Sequence, residues 1–160
     1  MDNINLGHKT IRLIYKDFKH YFQSGDVILG GSYYYKKVGC PVKTDYKDVD
    51  LIIDENKDYI FHEILDYYES NYIVESSRND YKGILSGFFH INDYVIVDLF
   101  TNDFTNLLPP FEIIPGVLTY RTTDTEMVKL YKELEELSRN DNQKYKEVKE
   151  FFQNIIIQDI

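Results

Sequence analysis

Residues 27–54 read VILGGSYYYKKVGCPVKTDYKDVDLIID. The stretch holds an apolar run, a Gly-Gly-Ser turn, and two aspartates one residue apart on a second apolar run. Val27-Ile28-Leu29 has the length and composition of a short buried strand ending at Gly30-Gly31. Ser32 stands at or near the N-terminus of a short helix expected to reach Lys37, and Gly39-Cys40-Pro41 breaks it. A loop then carries Lys43, Thr44, Asp45, Tyr46 and Lys47 into a second strand, Asp48 to Ile53. Side chains alternate along a strand, so Asp48, Asp50 and Ile52 share one face and Val49, Leu51 and Ile53 the other.

Upstream, Ile11, Leu13, Ile14, Phe18, Tyr21 and Phe22 recur at a helical period, which predicts a helix from about His8 to Gln23. Ser24-Gly25-Asp26 is its stop signal. Downstream, Ile60, Ile64, Leu65 and Tyr68 space a helix over Tyr59 to Tyr68 for packing on a sheet. Tyr72 to Ser76, Gly83 to Ile91 and Tyr94 to Phe100 are expected as three more strands, with Asn92-Asp93 turning the last two into an antiparallel hairpin. A loop follows Pro109-Pro110. Thr123 with Glu126 three residues on forms a capping box for a long helix carrying Met127, Leu130, Tyr131, Leu134 and Leu137, and a final helix covers about Asn142 to Ile157. The expected fold is α+β: one domain with a mixed sheet of about five strands and helices mainly on one face.

The totals set outer limits. A chain of 160 residues with 43% hydrophobic content suits one globular domain with a real core. No run approaches the roughly 20 apolar residues of a membrane-spanning helix, and MDNINLGHKTIRL lacks the layout of a secretory signal. Cys40 is the lone cysteine, so neither an internal disulfide nor a thiolate zinc cage is expected. A soluble, cytoplasmic protein without membrane contact is the expectation. The net charge of −9 argues against a broad basic face wrapped along nucleic acid.

Three features carry chemistry. Gly30-Gly31-Ser32, after a strand and before a helix, offers free backbone N–H groups to an anion, and glycine lets phosphate approach closely. The same residues would also serve as an ordinary strand-to-helix turn. The turn has neither the spacing of a Walker loop nor that of a dinucleotide fingerprint. Asp48 and Asp50 lie roughly 6.6 Å apart at their α-carbons on one strand face, where like charges favour a cation between them. A solvated edge-strand face is the alternative. Asp98 lies within YVIVDLF, where an unpaired buried charge costs several kcal/mol. A metal shared with Asp48 and Asp50 would partner it, as would a distant Lys or Arg. His8, His20, His62 and His90 show no ligand spacing, and Tyr33, Tyr34 and Tyr35 suit helix packing better than base stacking.

With these elements in order, the chain resembles the nucleotidyltransferase superfamily typified by DNA polymerase beta, in particular its small, minimal members. The matching pattern is Leu29-Gly30-Gly31-Ser32, then Asp48-Val49-Asp50-Leu51, then Asp98; the spacer from Ser32 to Asp48 is a few residues longer than common. The resemblance covers about residues 10 to 100, with the C-terminal helices at about 123–157 beyond it. It implies a magnesium-dependent enzyme that moves a nucleoside monophosphate from an NTP to a hydroxyl and releases pyrophosphate. Asp48, Asp50 and Asp98 would hold two Mg2+ ions, with Mn2+ as a substitute, and Asp98 would help deprotonate the attacking hydroxyl. Gly30, Gly31 and Ser32 would hold the phosphates, with Lys47 steering them. The acceptor is left open among a protein, a small molecule and an RNA end. A catalytically silent interaction module, of the antitoxin type, is the alternative. Phe151-Phe152 and Ile155-Ile156-Ile157 on the C-terminal helix would then be a homodimer or partner contact, although core packing would use the same residues.

Overall fold

In the computed structural model, the described residues are 3–31, 34, 48–72, 74–91, 95–114, 118–128 and 132. Helices α1 (Asn3–Asp17) and α2 (Lys19–Ser24) lead into strand β1 (Val27–Gly30). Strand β2 (Asp48–Asp54), a 3-10 turn (Glu55–Lys57) and helix α3 (Tyr59–Asn71) follow. Strands β3 (Ser76–Tyr81), β4 (Ile84–His90), β5 (Ile96–Asn102), β6 (Phe111–Ile114) and β7 (Leu118–Tyr120) complete the order. All seven strands form one mixed sheet, β3-β4-β5-β2-β1-β7-β6.

The expected α+β class and mixed sheet are what the structure has. Five strands correspond to expected ones; β6 and β7 arise in the stretch after Pro109-Pro110 that was expected to be a loop. Their few residues pair antiparallel around a bulge between Glu112 and Ile114, and such short, interrupted strands leave little period-two signal. The strand expected over Tyr72 to Ser76 instead begins at Ser76 and runs to Tyr81. It is joined to β4 by Lys82-Gly83, both at positive φ (54° and 82°), the geometry of a two-residue hairpin turn. The single helix expected over His8 to Gln23 is two, broken at Phe18, whose φ of −127° and ψ of 33° leave the helical range. Gly25 stops α2 at φ 82°, where its N–H and that of Asp26 satisfy the Phe22 and Tyr21 carbonyls, as the Ser24-Gly25-Asp26 signal predicts.

One sheet face makes the main core. Ile11, Ile14 and Phe18 from the N-terminal helical segment and Ile60, Phe61, Ile64, Leu65 and Tyr68 from α3 cluster with Val49, Leu51 and Ile53 of β2 and Val97 and Leu99 of β5. Tyr68 joins three elements: its ring stacks on Phe89 of β4 at 4.6 Å, and its hydroxyl donates to Asp17 at 3.0 Å. Each fully buried large side chain here contributes about 1.5–3 kcal/mol. Gly87 lets α3 settle on the sheet, because a Cβ there would lie 2.4 Å from the Ser77 carbonyl oxygen and 3.1 Å from Phe61 Cζ. The helix from Thr123 starts as its capping box predicts: Thr123 Oγ1 accepts from the Glu126 N–H at 3.2 Å, and Met127 is buried. The remainder of that helix and the final one, with Phe151-Phe152 and Ile155-Ile156-Ile157, lie outside the described residues.

Gly87→Ala is expected to lower the unfolding free energy by about 1–3 kcal/mol through overpacking against Phe61 and the β3 backbone. Urea denaturation followed by circular dichroism measures it, and an unchanged midpoint would show that α3 packs elsewhere.

Candidate active site

Strand directions gather the candidate residues at one end of the sheet. β1 runs antiparallel to β2, so the end of β1 at Gly30 lies beside the start of β2 at Asp48 and Asp50. β2 and β5 are parallel, which brings the start of β5, with Asp98, to the same end. β4 is antiparallel to β5 and finishes there at His90. β7 is parallel to β1, and the chain leaves it there through Arg121.

Register refines this into rows. Gly30 pairs with Asp50, Asp50 with Asp98, and Asp98 with Phe88, so one row crosses four strands. The next row runs Asp48, Ile96, His90. Adjacent strands are roughly 4.8 Å apart, so Asp50 and Asp98 project side by side from the face opposite the helices. Val49, Leu51, Val97 and Leu99, on alternate positions, anchor these strands in the helix-facing core. Apolar and acidic residues alternate because one face buries a core and the other holds the carboxylates.

The glycines are shaped by these neighbours. Gly31 is buried at φ 66°, and a Cβ on it would lie 1.7 Å from Asp50 Oδ2. The turn backbone therefore lies against the Asp50 carboxylate, and any side chain at 31 would take its place. A Cβ on Gly30 would meet Ile52 Cδ1 at 2.6 Å. Tyr34 is fully buried and its hydroxyl donates to the Pro109 carbonyl at 3.2 Å, so it packs as expected. Ser32, Lys47, Lys43, Thr44, Tyr33 and Tyr35 lie outside the described residues.

Asp48 is exposed, while Asp50 and Asp98 are half-buried. Burial pushes the Asp98 carboxyl up to about 6, the charge of Asp48 adds to the rise, and His90 opposes it. His90 shows no ligand spacing in the sequence and is not assigned to a metal there. It nevertheless stands in the Asp48 row, its ring edge-on to Phe88 at 5.7 Å. The antiparallel pairing of β4 with β5 sets the end of β4 beside the start of β5; Asn92 and Asp93, expected as the turn between them, lie outside the described residues. Among the described residues, no three His, Cys, Asp or Glu side chains are placed together so as to hold a metal ion. The three carboxylates at this sheet end are hard oxygen donors, the type that suits magnesium.

No protein-family model and no curated protein matches this sequence. No helix among the described residues is long and apolar enough to cross a membrane.

Asp98 gives a pH prediction. Its folded value, about 6, lies above the ordinary 3.8, so the fold prefers the protonated form. Its contribution to stability is therefore fully present below about pH 4 and is lost as pH rises through about 6. Asp98→Asn is expected to raise the melting temperature of metal-free protein at pH 7.5 and to have a smaller effect at pH 4.5. Thermal unfolding of both proteins across this range measures it, and a pH-independent difference would contradict it.

Proposed function

We propose that the chain is a nucleotidyltransferase that moves a nucleoside monophosphate from an NTP to a hydroxyl acceptor, with release of pyrophosphate. The carrying observation is the row Gly30, Asp50, Asp98, which sets a glycine turn beside two carboxylates on neighbouring strands, with Asp48 two residues from Asp50. This supports the resemblance in the sequence, where the same residues occur in the same order.

The donor type, carboxylate oxygen, suits divalent cations. Asp48, Asp50 and Asp98 would hold them, since magnesium is usually bound by a few carboxylates together with substrate phosphates. When bound, the ions would neutralise phosphate charge and polarise the group being transferred. The protein's own contribution is placement. Gly30-Gly31 bring backbone close to the anion, with glycine required at 31 by the nearness of Asp50. Asp98, whose carboxyl holds its proton more tightly than an ordinary aspartate, is suited to accept a proton from the acceptor hydroxyl near neutral pH. The rest is orientation of two substrates and exclusion of competing geometries.

The test is to incubate purified protein with MgCl2, each NTP labelled at its α-phosphate, and a cell lysate, following pyrophosphate release and the fate of label. Asp48→Asn combined with Asp50→Asn is expected to reduce transfer by more than about a hundredfold while circular dichroism stays unchanged. Transfer that persists in the folded double variant would overturn the assignment.

A further inference from the structure

Arg121 and Thr122 follow β7, outside every motif that the sequence singled out. Because β7 runs parallel to β1, they emerge at the end of the sheet that holds Gly30-Gly31. The Arg121 backbone N–H donates to the Leu29 carbonyl at 2.7 Å. A Cβ on Gly30 would lie 3.2 Å from the Arg121 carbonyl oxygen and 3.5 Å from Thr122 Oγ1. β1 sits between β2 and β7 in the sheet, so these residues flank the glycine turn on the side away from Asp50.

Their polar groups are incompletely used. Thr122 is fully buried, and its hydroxyl has no hydrogen-bond partner among the described residues. A buried hydroxyl without a partner costs stability, so such groups are rare unless something else uses them. Arg121 is half-buried; its Nε donates to the Leu108 carbonyl at 2.7 Å, and it forms no ion pair among the described residues, unlike Lys57 and Arg78. The bond to Leu108 fixes the guanidinium plane and leaves its outer nitrogens for a second acceptor. The segment itself is held, since Leu108 N–H donates to the Thr122 carbonyl at 2.8 Å. The Arg121 backbone lies beside the glycine turn, and a planar guanidinium fork matches phosphate oxygens.

We infer that Arg121 and Thr122 are polyphosphate-binding residues, the guanidinium pairing with a non-transferred phosphate and the Thr122 hydroxyl donating to an oxygen over Gly30. For its ligand, the triphosphate of an NTP, the inference rests on the nucleotidyltransferase reading. Carboxylates and cation then lie on opposite sides of the turn, so the bound triphosphate has one orientation, with its reacting end toward Asp50 and Asp98.

Full-length protein, Thr122→Val and Arg121→Gln are titrated with magnesium tripolyphosphate and with ATP by calorimetry, alongside the transfer assay. Each variant is expected to bind tripolyphosphate about tenfold more weakly, in line with loss of one hydrogen bond to a charged group. Thr122→Val should melt at the same or a higher temperature without ligand, because it removes an unpartnered hydroxyl and keeps its shape. That combination is not expected of a purely structural threonine. Unchanged tripolyphosphate affinity in both variants overturns the inference and leaves the enzyme reading standing. Weakened binding in the variants with no transfer by wild type overturns the enzyme reading and upholds the phosphate site. Wild-type protein that binds neither tripolyphosphate nor ATP overturns both.

Discussion

The pairing of β2 with its two neighbours is the constraint on which the rest of the molecule depends. β2 binds β1 antiparallel and β5 parallel, and seven consecutive pairs from Asp48↔Ile96 to Asp54↔Asn102 lock the second of these. Because side chains alternate with a period of two, a slip of one residue on either side would turn acidic groups into the core and apolar ones out of it. The helix-facing core therefore specifies the carboxylate arrangement. Val49, Leu51, Ile53, Val97 and Leu99 must face α1 and α3, which leaves Asp48, Asp50 and Asp98 together on the other side.

That arrangement works against stability at the site. Asp98 is partly withdrawn from water and feels the charge of Asp48, which raises its proton affinity. Thr122 keeps a buried hydroxyl without a partner among the described residues. Gly31 takes a left-handed conformation against Asp50. Such costs are typical where a protein is organised for a ligand, and here they cluster at one end of one sheet. Among the described residues, no other buried side-chain nitrogen or oxygen lacks a hydrogen-bond partner. Tyr68 is stacked and hydrogen-bonded, Arg78 is paired with Asp66 and Glu69, and Asp26 is held by Lys57, whose contact keeps the Asp26 carboxyl below its ordinary value.

The proposed function also gives the strand order a meaning. The glycine turn lies between the strands that carry the carboxylates, β2 and β5, on one side and the residues that follow β7 on the other. Under the proposed reading, an anion laid across it would therefore meet acidic groups toward one end and Arg121 toward the other. In a chain of net charge −9, the placement of single cations carries more information than the total. Two other described cations, Lys57 and Arg78, are engaged by carboxylates.

The sequence by itself determined the local units and half of the candidate site. The helical spacing of Ile60, Ile64, Leu65 and Tyr68, the glycine stop at Gly25, the Thr123 cap and the alternation around Asp48 and Asp50 are local signals, set by interactions between residues a few positions apart. Asp98 was also legible, because a charge within an apolar strand demands a partner wherever that strand goes. Tertiary structure decided which strands are neighbours, and so that Asp50 and Asp98 share a row, that His90 stands beside them, and that Arg121 and Thr122 close on Gly30. β6 and β7 are short and bulged, and the pairing of β7 with β1 joins residues some ninety positions apart, Leu29 and Tyr120. Hydrogen bonds between distant backbones leave no periodic trace in the chain, which is why this half of the site emerges only in the folded sheet.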